Sequence, residues 1–272
     1  MPEGAEVRII AEELNDNLKN KNLIEIQVLG GRYKKHGNPD GMNEFLKTLP
    51  AKLKEVKWKG KLIYFVFDNG WYMLNTLGMS GGWTTLKEKH SNVSFTFEKF
   101  PLYIYFRDMR NFGTIKFIKG EKKLAEKLNK IGPDMLNDET TFDIFKKNMK
   151  KKINENKPIS QILMDQKHVS GVGNYIKSES LYISKISPHR KLKDINDIEL
   201  KSLFNAIKKV ITGSYKSQGM SLRDYKDFED KPGEYQFKLV VYGRKTDDLG
   251  NKVKTETTKD KRTTHWVPEV QT

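Results

Sequence analysis

The sequence predicts an α+β protein in which an N-terminal helix and an antiparallel β-sandwich precede an α-helical domain and a terminal β-hairpin. Apolar residues recur at helical spacing from Val7 to Leu18, with polar residues between them. Short alternating β-rich runs with polar turns between them then continue to residue 117, which is typical of an antiparallel sandwich or barrel. Helical periodicity returns after Gly120 and indicates a separate helical part.

The first six residues, Met1–Glu6, are a candidate catalytic segment. If Met1 is removed, Pro2 begins the chain with a secondary amine, and α-amino groups have an unperturbed pKa of about 7.7–8.0. Such an amine can attack an electrophilic carbon and form a Schiff base, and Glu3 beside it could carry protons. The other interpretation is that Met-Pro with a nearby Glu occurs by chance. Proline suits the first position of a helix, so the predicted helix would hold the amine still.

Six strands are predicted between this first helix and Gly120. Turn signals such as Asp68-Asn69-Gly70 separate them, and one short helix is predicted at residues 42–49. The predicted strands are residues 23–28, 62–67, 71–74, 93–97, 102–106 and 114–117.

The second half is predicted to be helical up to a final hairpin. Predicted helices are residues 121–128, 141–149, 159–167, 174–185 and 200–214, and the hairpin strands are 237–242 and 262–267. We therefore expect three parts: a catalytic helix with a β-sandwich (1–131), a helical domain (132–235) and the hairpin (236–272).

The composition indicates a folded, strongly basic protein. Among 272 residues there are 14 Phe, 11 Tyr and 4 Trp, which supply bulky core material, and the formal net charge is +15. A field of this size attracts polyanions, of which nucleic acid is the commonest. A merely lysine-rich proteome is the alternative explanation of the charge.

Several classes of site are excluded or disfavoured. The chain has no cysteine, which excludes disulfides, thiol catalysis and cysteine-ligated zinc, and its 5 histidines are dispersed. We therefore predict no metal and no cofactor. No run of about 18 apolar residues and no apolar stretch after Met1 is present, so we expect an intracellular protein without a signal peptide or membrane span.

A glycine-spaced turn stands directly before the predicted helix at residue 174. Backbone amides of Gly171 and Gly173, together with the helix dipole, would form a natural phosphate site, and Asn174 could add a side-chain donor. An ordinary helix–helix turn that uses glycine for its backbone freedom explains these residues equally well.

Six motifs occur along the chain in one order. They are Pro2-Glu3-Gly4-Ala5-Glu6, Leu77-Gly78-Met79-Ser80-Gly81, Asp108-Met109-Arg110-Asn111-Phe112-Gly113, Gly132-Pro133-Asp134, Asp165 to Asn174 with Glu179, and Lys261 to Gln271. Together they resemble the formamidopyrimidine-DNA glycosylase/endonuclease VIII (Fpg/Nei) family, in its order and over essentially the whole chain. The absence of cysteine makes the chain similar to the zincless-finger endonuclease VIII-like members of vertebrates and giant viruses, because Val267 and Val270 stand where zinc-bearing members have cysteines.

The resemblance implies both a fold and an activity. The helical domain would contain a helix-two-turn-helix, and the hairpin would be a zincless β-hairpin finger. The activity would be that of a base-excision-repair DNA glycosylase with AP-lyase (β,δ-elimination) activity, which removes oxidised bases such as pyrimidines and hydantoin-type lesions. The implied partner is damaged DNA, double-stranded or single-stranded, and we expect a monomer.

The same resemblance implies catalytic roles. Pro2 would be the nucleophile at C1′ of the damaged nucleotide, and Glu3 would be the acid that helps to open the sugar. Lys61 resembles a lysine that contacts phosphate and assists elimination, although a solvated turn lysine is the alternative. Glu6 resembles an acidic residue that supports the nucleophile.

DNA-binding roles are implied for a second set of residues. Asn174 and Arg262 resemble the phosphate-binding residues of the helix-two-turn-helix and of the finger, although Arg262 could also be an ordinary surface arginine. Met79, Arg110 and Phe112 match the side chains that fill the space left by a flipped nucleotide, while Met79 and Phe112 could instead be core residues. Flipping costs a few kcal/mol of unstacking, which wedge residues and phosphate contacts would offset.

Two positions depart from the family pattern. Ala5 stands where proline is usual, and Asn111 replaces a second arginine, which puts readout of the opposite base in doubt. Residues 213–237, where a lesion-contacting loop is expected, are the least patterned. A non-catalytic DNA-binding protein that kept the fold is the competing hypothesis, and retention of Pro2 and Glu3 argues against it.

Overall fold

The structure, a computed structural model, describes residues 2–99, 103–220 and 233–272. These residues form two compact units. Among the described residues, the first comprises Pro2, 6–99, 103–129, 218–220 and 233–234, and the second comprises 3–5, 130–217 and 235–272. Met1, the start of the strand predicted at 102–106, and residues 221–232 of the expected lesion-contacting loop lie outside the described residues.

The first unit is built from a long helix and an antiparallel β-sandwich. Its elements are α1 (Gly4–Leu18, whose first two residues belong to the second unit), β1 (Asn22–Val28), α2 (Gly31–His36), α3 (Met42–Leu46), β2 (Ala51–Lys59), β3 (Leu62–Phe67), β4 (Trp71–Thr76), β5 (Gly81–Thr84), β6 (Ser91–Phe97), β7 (Ile104–Asp108), β8 (Thr114–Lys119) and α4 (Glu121–Leu128). The strands follow the order β5-β7-β6-β1-β2-β3-β4-β8. Only two residue pairs join β1 to β2, so two four-stranded antiparallel layers result.

The core of this unit packs α1 against the strands. Ile10, Leu14 and Leu18 are fully buried, and they share one apolar cluster with Phe65 and Trp83. Burying a large apolar side chain contributes about 1.5–3 kcal/mol. The helix that carries the chain start is therefore firmly anchored.

The second unit is mostly helical. Its elements are α5 (Phe142–Met149), α6 (Ile159–Met164), α7 (Asn174–Ile183), α8 (Asp197–Lys216), β9 (Lys254–Thr257) and β10 (Thr263–Trp266), with short 3₁₀ turns at Lys152–Asn154, Leu192–Asp194 and Tyr235–Lys238. A reciprocal pair of side-chain contacts caps α8: Asn196 accepts the N–H of Glu199 at 3.0 Å, and Glu199 accepts the N–H of Asn196 at 2.9 Å. Within the described residues, no helix is both long and apolar enough to cross a membrane.

The predicted α+β class is confirmed, but four elements (α2, β2, β5 and β9) were missed and one strand was wrong. The sequence did not indicate β2, which is rich in lysine, β5, which begins with two glycines, or the short α2. The strand predicted at 237–242 does not form, and β10 pairs instead with β9. The backbone N–H groups of residues 240–242 donate to a buried carboxylate, so they do not join a β-ladder.

Candidate functional site

The carboxylate of Glu3 lies at the N-terminus of α7. Its Oε1 accepts the N–H of Tyr175 at 3.0 Å and its Oε2 accepts the N–H of Ile176 at 3.3 Å, while the side chain is buried. Amides in the first turn of a helix lack intrahelical acceptors and lie at the positive end of its dipole, so they hold a carboxylate well. The next residue is fixed too, because Gly4 N–H donates to the Gly171 carbonyl at 2.8 Å.

The glycines before α7 allow this close approach. A Cβ on Gly173 would lie only 2.2 Å from Cδ of Glu3, and a Cβ on Gly4 would lie 2.8 Å from Cα of Gly171. Gly171 has a φ of +87°, which favours glycine, and its N–H donates to Gln166 Oε1 at 3.1 Å. The phosphate site predicted at Gly171 and Gly173 remains a prediction, and the amides of Gly171, Tyr175 and Ile176 already have acceptors within the protein.

Pro2 and Glu6 are both buried members of the first unit. The Oε1 atom of Glu6 accepts the N–H of Met220 at 2.8 Å. Glu6 therefore fixes the backbone that leads into residues 221–232. This contact is compatible with the supporting role expected of Glu6 and gives it no chemical step.

Lys61 lies in the two-residue turn between β2 and β3. Lys59 pairs with Leu62, so Gly60 and Lys61 form the connection, and Gly60 has a φ of +56°. The Lys61 side chain is half-buried. The role expected of Lys61 at a phosphate therefore stays a prediction, with a solvated turn lysine as its alternative.

The three residues expected to fill the space of a flipped nucleotide lie on two loops of the first unit. Arg110 Nη1 donates to Met79 Sδ at 3.8 Å, and a Cβ on Gly78 would lie 2.6 Å from the Phe112 carbonyl carbon, so the loops are tightly packed. The Phe112 side chain is 58% exposed and Met79 is half-buried. Phe112 is therefore not a core residue.

A buried aspartate, which the sequence did not single out for a role, fixes these loops. Asp108 is 1% exposed, and its carboxylate accepts the Ser80 hydroxyl at 2.7 Å and the N–H groups of Arg110 at 3.2 Å and Gly113 at 2.6 Å. Charge-assisted hydrogen bonds of this kind are about twice as strong as neutral ones. The backbone that carries the exposed side chains of Arg110 and Phe112 is thus held in place by Asp108.

Asn174 and the turn that carries Arg262 are in direct contact. Asn174 Nδ2 donates to the Thr263 carbonyl at 2.7 Å, while the Arg262 side chain is exposed at the end of the turn between β9 and β10. The structure therefore brings together the two residues expected to bind phosphate within the second unit.

Helix α7 also buries two charged side chains whose partners no local sequence signal could reveal. Lys177 is fully buried and pairs with Asp260. Burial lowers the pKa of Lys177, and Asp260 acts in the opposite direction. Glu179 accepts the N–H groups of residues 240, 241 and 242 at 3.0, 2.9 and 2.7 Å. Burial raises the pKa of Glu179, and these backbone donors oppose the rise.

The residues of the C-terminal hairpin region do not fit a zinc site. Val267 is fully buried and forms an apolar cluster with Val241 and Val253, against which Val270 also packs. Across the described ranges no group of three or more His, Cys, Asp or Glu side chains could hold a metal ion. Val267 and Val270, which by the resemblance stand where zinc-bearing members have cysteines, therefore take part in apolar packing.

Comparison with known proteins identifies the same family along the chain. Models of the formamidopyrimidine-DNA glycosylase N-terminal domain, H2TH domain and C-terminal domain match residues 1–115, 131–226 and 229–272. A formamidopyrimidine-DNA glycosylase of Rickettsia felis is 31% identical over 262 residues, which cover 92% of this chain and 90% of that protein. One of Legionella pneumophila (strain Lens) is 31% identical over 250 residues, covering 90% and 88%.

The fold also matches a solved structure of such a protein. Wild-type Lactococcus lactis Fpg (MutM), in complex with DNA that contains an oxidised pyrimidine, superimposes with a TM-score of 0.85 at 24% identity, covering 99% of each chain. The two curated relatives are bacterial, so the narrower resemblance to the zincless-finger endonuclease VIII-like subgroup remains a prediction.

Proposed function

The chain belongs to the formamidopyrimidine-DNA glycosylase family, and from this premise we propose that it is a base-excision-repair DNA glycosylase with AP-lyase activity. Its substrates are oxidised bases in DNA, with pyrimidines and hydantoin-type lesions foremost. The observation that carries the proposal is the position of Glu3: a buried carboxylate, fixed by two backbone N–H groups, stands next to the residue that becomes the N-terminal amine.

The chemistry starts once Met1 has been removed. The unprotonated nitrogen of Pro2 attacks C1′ of the damaged nucleotide, and the bond from C1′ to the base breaks. The base leaves with its electron pair and takes up a proton, while the nitrogen of Pro2 gives up its N–H proton. Glu3 delivers a proton to the sugar ring oxygen as the ring opens, and the product is an iminium between Pro2 and C1′. The iminium draws electrons from C2′, so that loss of a C2′ proton breaks the C3′–O bond and expels the 3′ phosphate (β-elimination). Loss of the C4′ proton of the conjugated iminium then breaks the C5′–O bond and expels the 5′ phosphate (δ-elimination). Lys61 contacts phosphate and assists this elimination.

Two sets of side chains, one in each unit, bind the lesion strand. Phe112, Arg110 and Met79 fill the space that the flipped nucleotide leaves, and the Asp108 contacts keep their loops in place. Asn174 and Arg262 bind phosphates, and the net charge of +15 adds a long-range attraction that salt will weaken.

Borohydride trapping tests the mechanism directly. Protein with verified removal of Met1 is mixed with a duplex containing an oxidised pyrimidine, and borohydride reduces the iminium to a stable covalent complex. The Pro2→Gly variant is the control and should give much less complex. If protein that lacks Met1 binds the duplex but yields no covalent complex, the Schiff-base mechanism is wrong. The competing hypothesis of a non-catalytic DNA-binding protein then stands.

We assign the C-terminal hairpin to the zincless type, on the basis of the valine cluster and the absence of cysteine. Dialysis against a strong chelator should therefore leave both strand cleavage and the melting temperature unchanged. A zinc-bearing glycosylase treated in parallel serves as the positive control. A loss of activity that added zinc restores would contradict the assignment.

A further inference from the structure

We propose that Lys177 and Asp260 form a positioning pair that holds the turn carrying Arg262 in its DNA-binding geometry without a metal; the inference rests on the role of Arg262 in the proposed function. Both side chains are almost completely removed from solvent, with 0% and 2% of their surface exposed. Neither residue contacts the reacting atoms in this scheme. They act through Arg262.

The pair connects α7 to the turn through both oxygens of one carboxylate. Lys177 Nζ donates to Asp260 Oδ2 at 2.5 Å and to the Thr264 hydroxyl at 2.8 Å. The other oxygen, Oδ1, accepts the Thr258 hydroxyl and, at 3.4 Å, the N–H of Arg262 itself. Asp260 thus links the helix to the backbone of Arg262.

The turn is closed by its own hydrogen bonds. Thr258 N–H donates to the Arg262 carbonyl at 3.1 Å, and Lys261 N–H donates to the Thr258 carbonyl at 2.8 Å. The hydroxyl groups of Thr258 and Thr264 are 2.6 Å apart. A turn closed in this way moves as one body, so the contacts that tie it to α7 set the position from which the Arg262 side chain extends.

Two residues of α7 tie this body to the helix. Asn174 donates to the Thr263 carbonyl, and Lys177, three residues further along and so on the same side of the helix, reaches Asp260. The first turn of the same helix also holds the Glu3 carboxylate through the amides of residues 175 and 176. Helix α7 therefore fixes the positions of both the proposed acid, Glu3, and the turn that carries the proposed phosphate-binding residue, Arg262.

The energetics favour a role in geometry over a role in stability. Taking two charges out of water costs several kcal/mol per ion, and apolar residues of similar volume often replace a buried ion pair without loss of stability. Apolar clustering in this unit already exists at Val241, Val253 and Val267. Apolar packing is not directional, whereas the hydrogen bond from Lys177 to Oδ2 of Asp260 fixes the turn at a defined point.

A double-mutant cycle on DNA binding tests the proposal. The probe is a duplex with a tetrahydrofuran abasic analogue, measured at several salt concentrations with the variants Arg262→Ala, Lys177→Met and Lys177→Met/Arg262→Ala. We expect each single variant to bind roughly tenfold more weakly with a salt slope lower by about 1, and the double variant to bind within about twofold of Lys177→Met. Lys209→Met is the control: it removes the same charge from an exposed position of α8 and should not be coupled to Arg262.

The contrary outcomes are distinct. If the losses multiply in the double variant, Lys177 does not act through Arg262 and the inference fails alone. If Arg262→Ala binds as the wild type does, the inference fails together with the role of Arg262, whereas borohydride trapping by the wild-type protein reports separately on the proposed function.

Folding is checked by thermal unfolding of each variant. If Lys177→Met does not fold, Asp260→Asn, which keeps the shape of Asp260 and one carbonyl acceptor, takes its place in the cycle. Loss of the fold in both variants would show that the pair supports the whole second unit instead of one turn, and would overturn the proposal.

Discussion

Adding a single methyl group at Gly173 should separate excision from binding. In Gly173→Ala the new Cβ would lie 2.2 Å from Cδ of Glu3, 2.4 Å from its Oε1 and 2.6 Å from its Cγ, and real Cβ contacts essentially never fall below 3.0 Å. The backbone φ of Gly173 is −128°, which alanine adopts without strain, so the perturbation is local crowding. The carboxylate must therefore move by roughly 1 Å to regain ordinary contact distances.

In the wild-type structure the Glu3 carboxylate accepts the N–H groups of Tyr175 and Ile176 at 3.0 and 3.3 Å. A shift of about 1 Å breaks these two hydrogen bonds. Misplacement by about 1 Å costs on the order of 10²-fold in rate. We expect single-turnover excision of an oxidised pyrimidine to slow by roughly that factor, while affinity for an abasic-analogue duplex changes only a few-fold.

The matched control is Gly82→Ala in β5. A Cβ on Gly82 would have Arg107 Nε as its nearest neighbour at 3.5 Å, an ordinary contact, and the backbone there is not left-handed. This variant should excise at the wild-type rate. If Gly173→Ala excises the base at the wild-type rate, the hydrogen bonds that hold Glu3 at the N-terminus of α7 do not matter to catalysis, and this reasoning is refuted.

Three further predictions concern the loops and the helical unit. Phe112→Ala should weaken lesion binding roughly tenfold but change the unfolding free energy by less than about 0.5 kcal/mol, because the ring is exposed; a large loss in urea unfolding would instead indicate a core role. Asp108→Ala should lower the unfolding free energy by about 3 kcal/mol, since the Ser80 hydroxyl and the Gly113 N–H lose their acceptor and the Arg110 N–H keeps only the Ser80 hydroxyl oxygen; an unchanged urea midpoint would contradict this. Arg190 holds the pKa of Glu199 below its ordinary value of 4.5. Near these pKa values the folded state therefore binds fewer protons than the unfolded state. The stabilisation is complete above pH 4.5 and is lost as the pH falls through the lowered pKa of the folded state. Glu199→Gln should therefore cost about 1 kcal/mol at neutral pH and progressively less in acid; a constant difference across pH-dependent thermal unfolding would contradict the assignment.

Local patterns sufficed for most of the fold because helix and strand periodicities are properties of short segments. They failed where a distant partner decides the outcome. Residues 237–242 have the composition of a strand, but Glu179, 61 residues before Val240, takes the backbone donors that a strand would need. β2 was missed because its lysines obscure an alternation that becomes clear only once its buried face is known.

The candidate site shows the same division. The motifs pointed to Glu3 and Asn174 but not to the groups that hold them in place. Glu3 accepts a hydrogen bond from the N–H of Tyr175, 172 residues away, and Asn174 donates one to the Thr263 carbonyl. Lys177 and Asp260 are 83 residues apart, and a lysine within an apolar helical pattern does not indicate its partner. Contacts between residues so far apart in sequence are set by tertiary packing, which one sequence does not encode locally.

The valines of the C-terminal region bear on where this protein can operate. Peroxide oxidises cysteine thiolates stepwise to sulfenic and sulfinic acids, and a metal held by such sulfurs is lost with them. Val241, Val253 and Val267 pack against one another and against Tyr182, Val240 and Val270, and the chain contains no cysteine. The oxidants that damage DNA bases therefore find no sulfur ligand to attack in this hairpin, which should stay folded under the conditions that create its substrates.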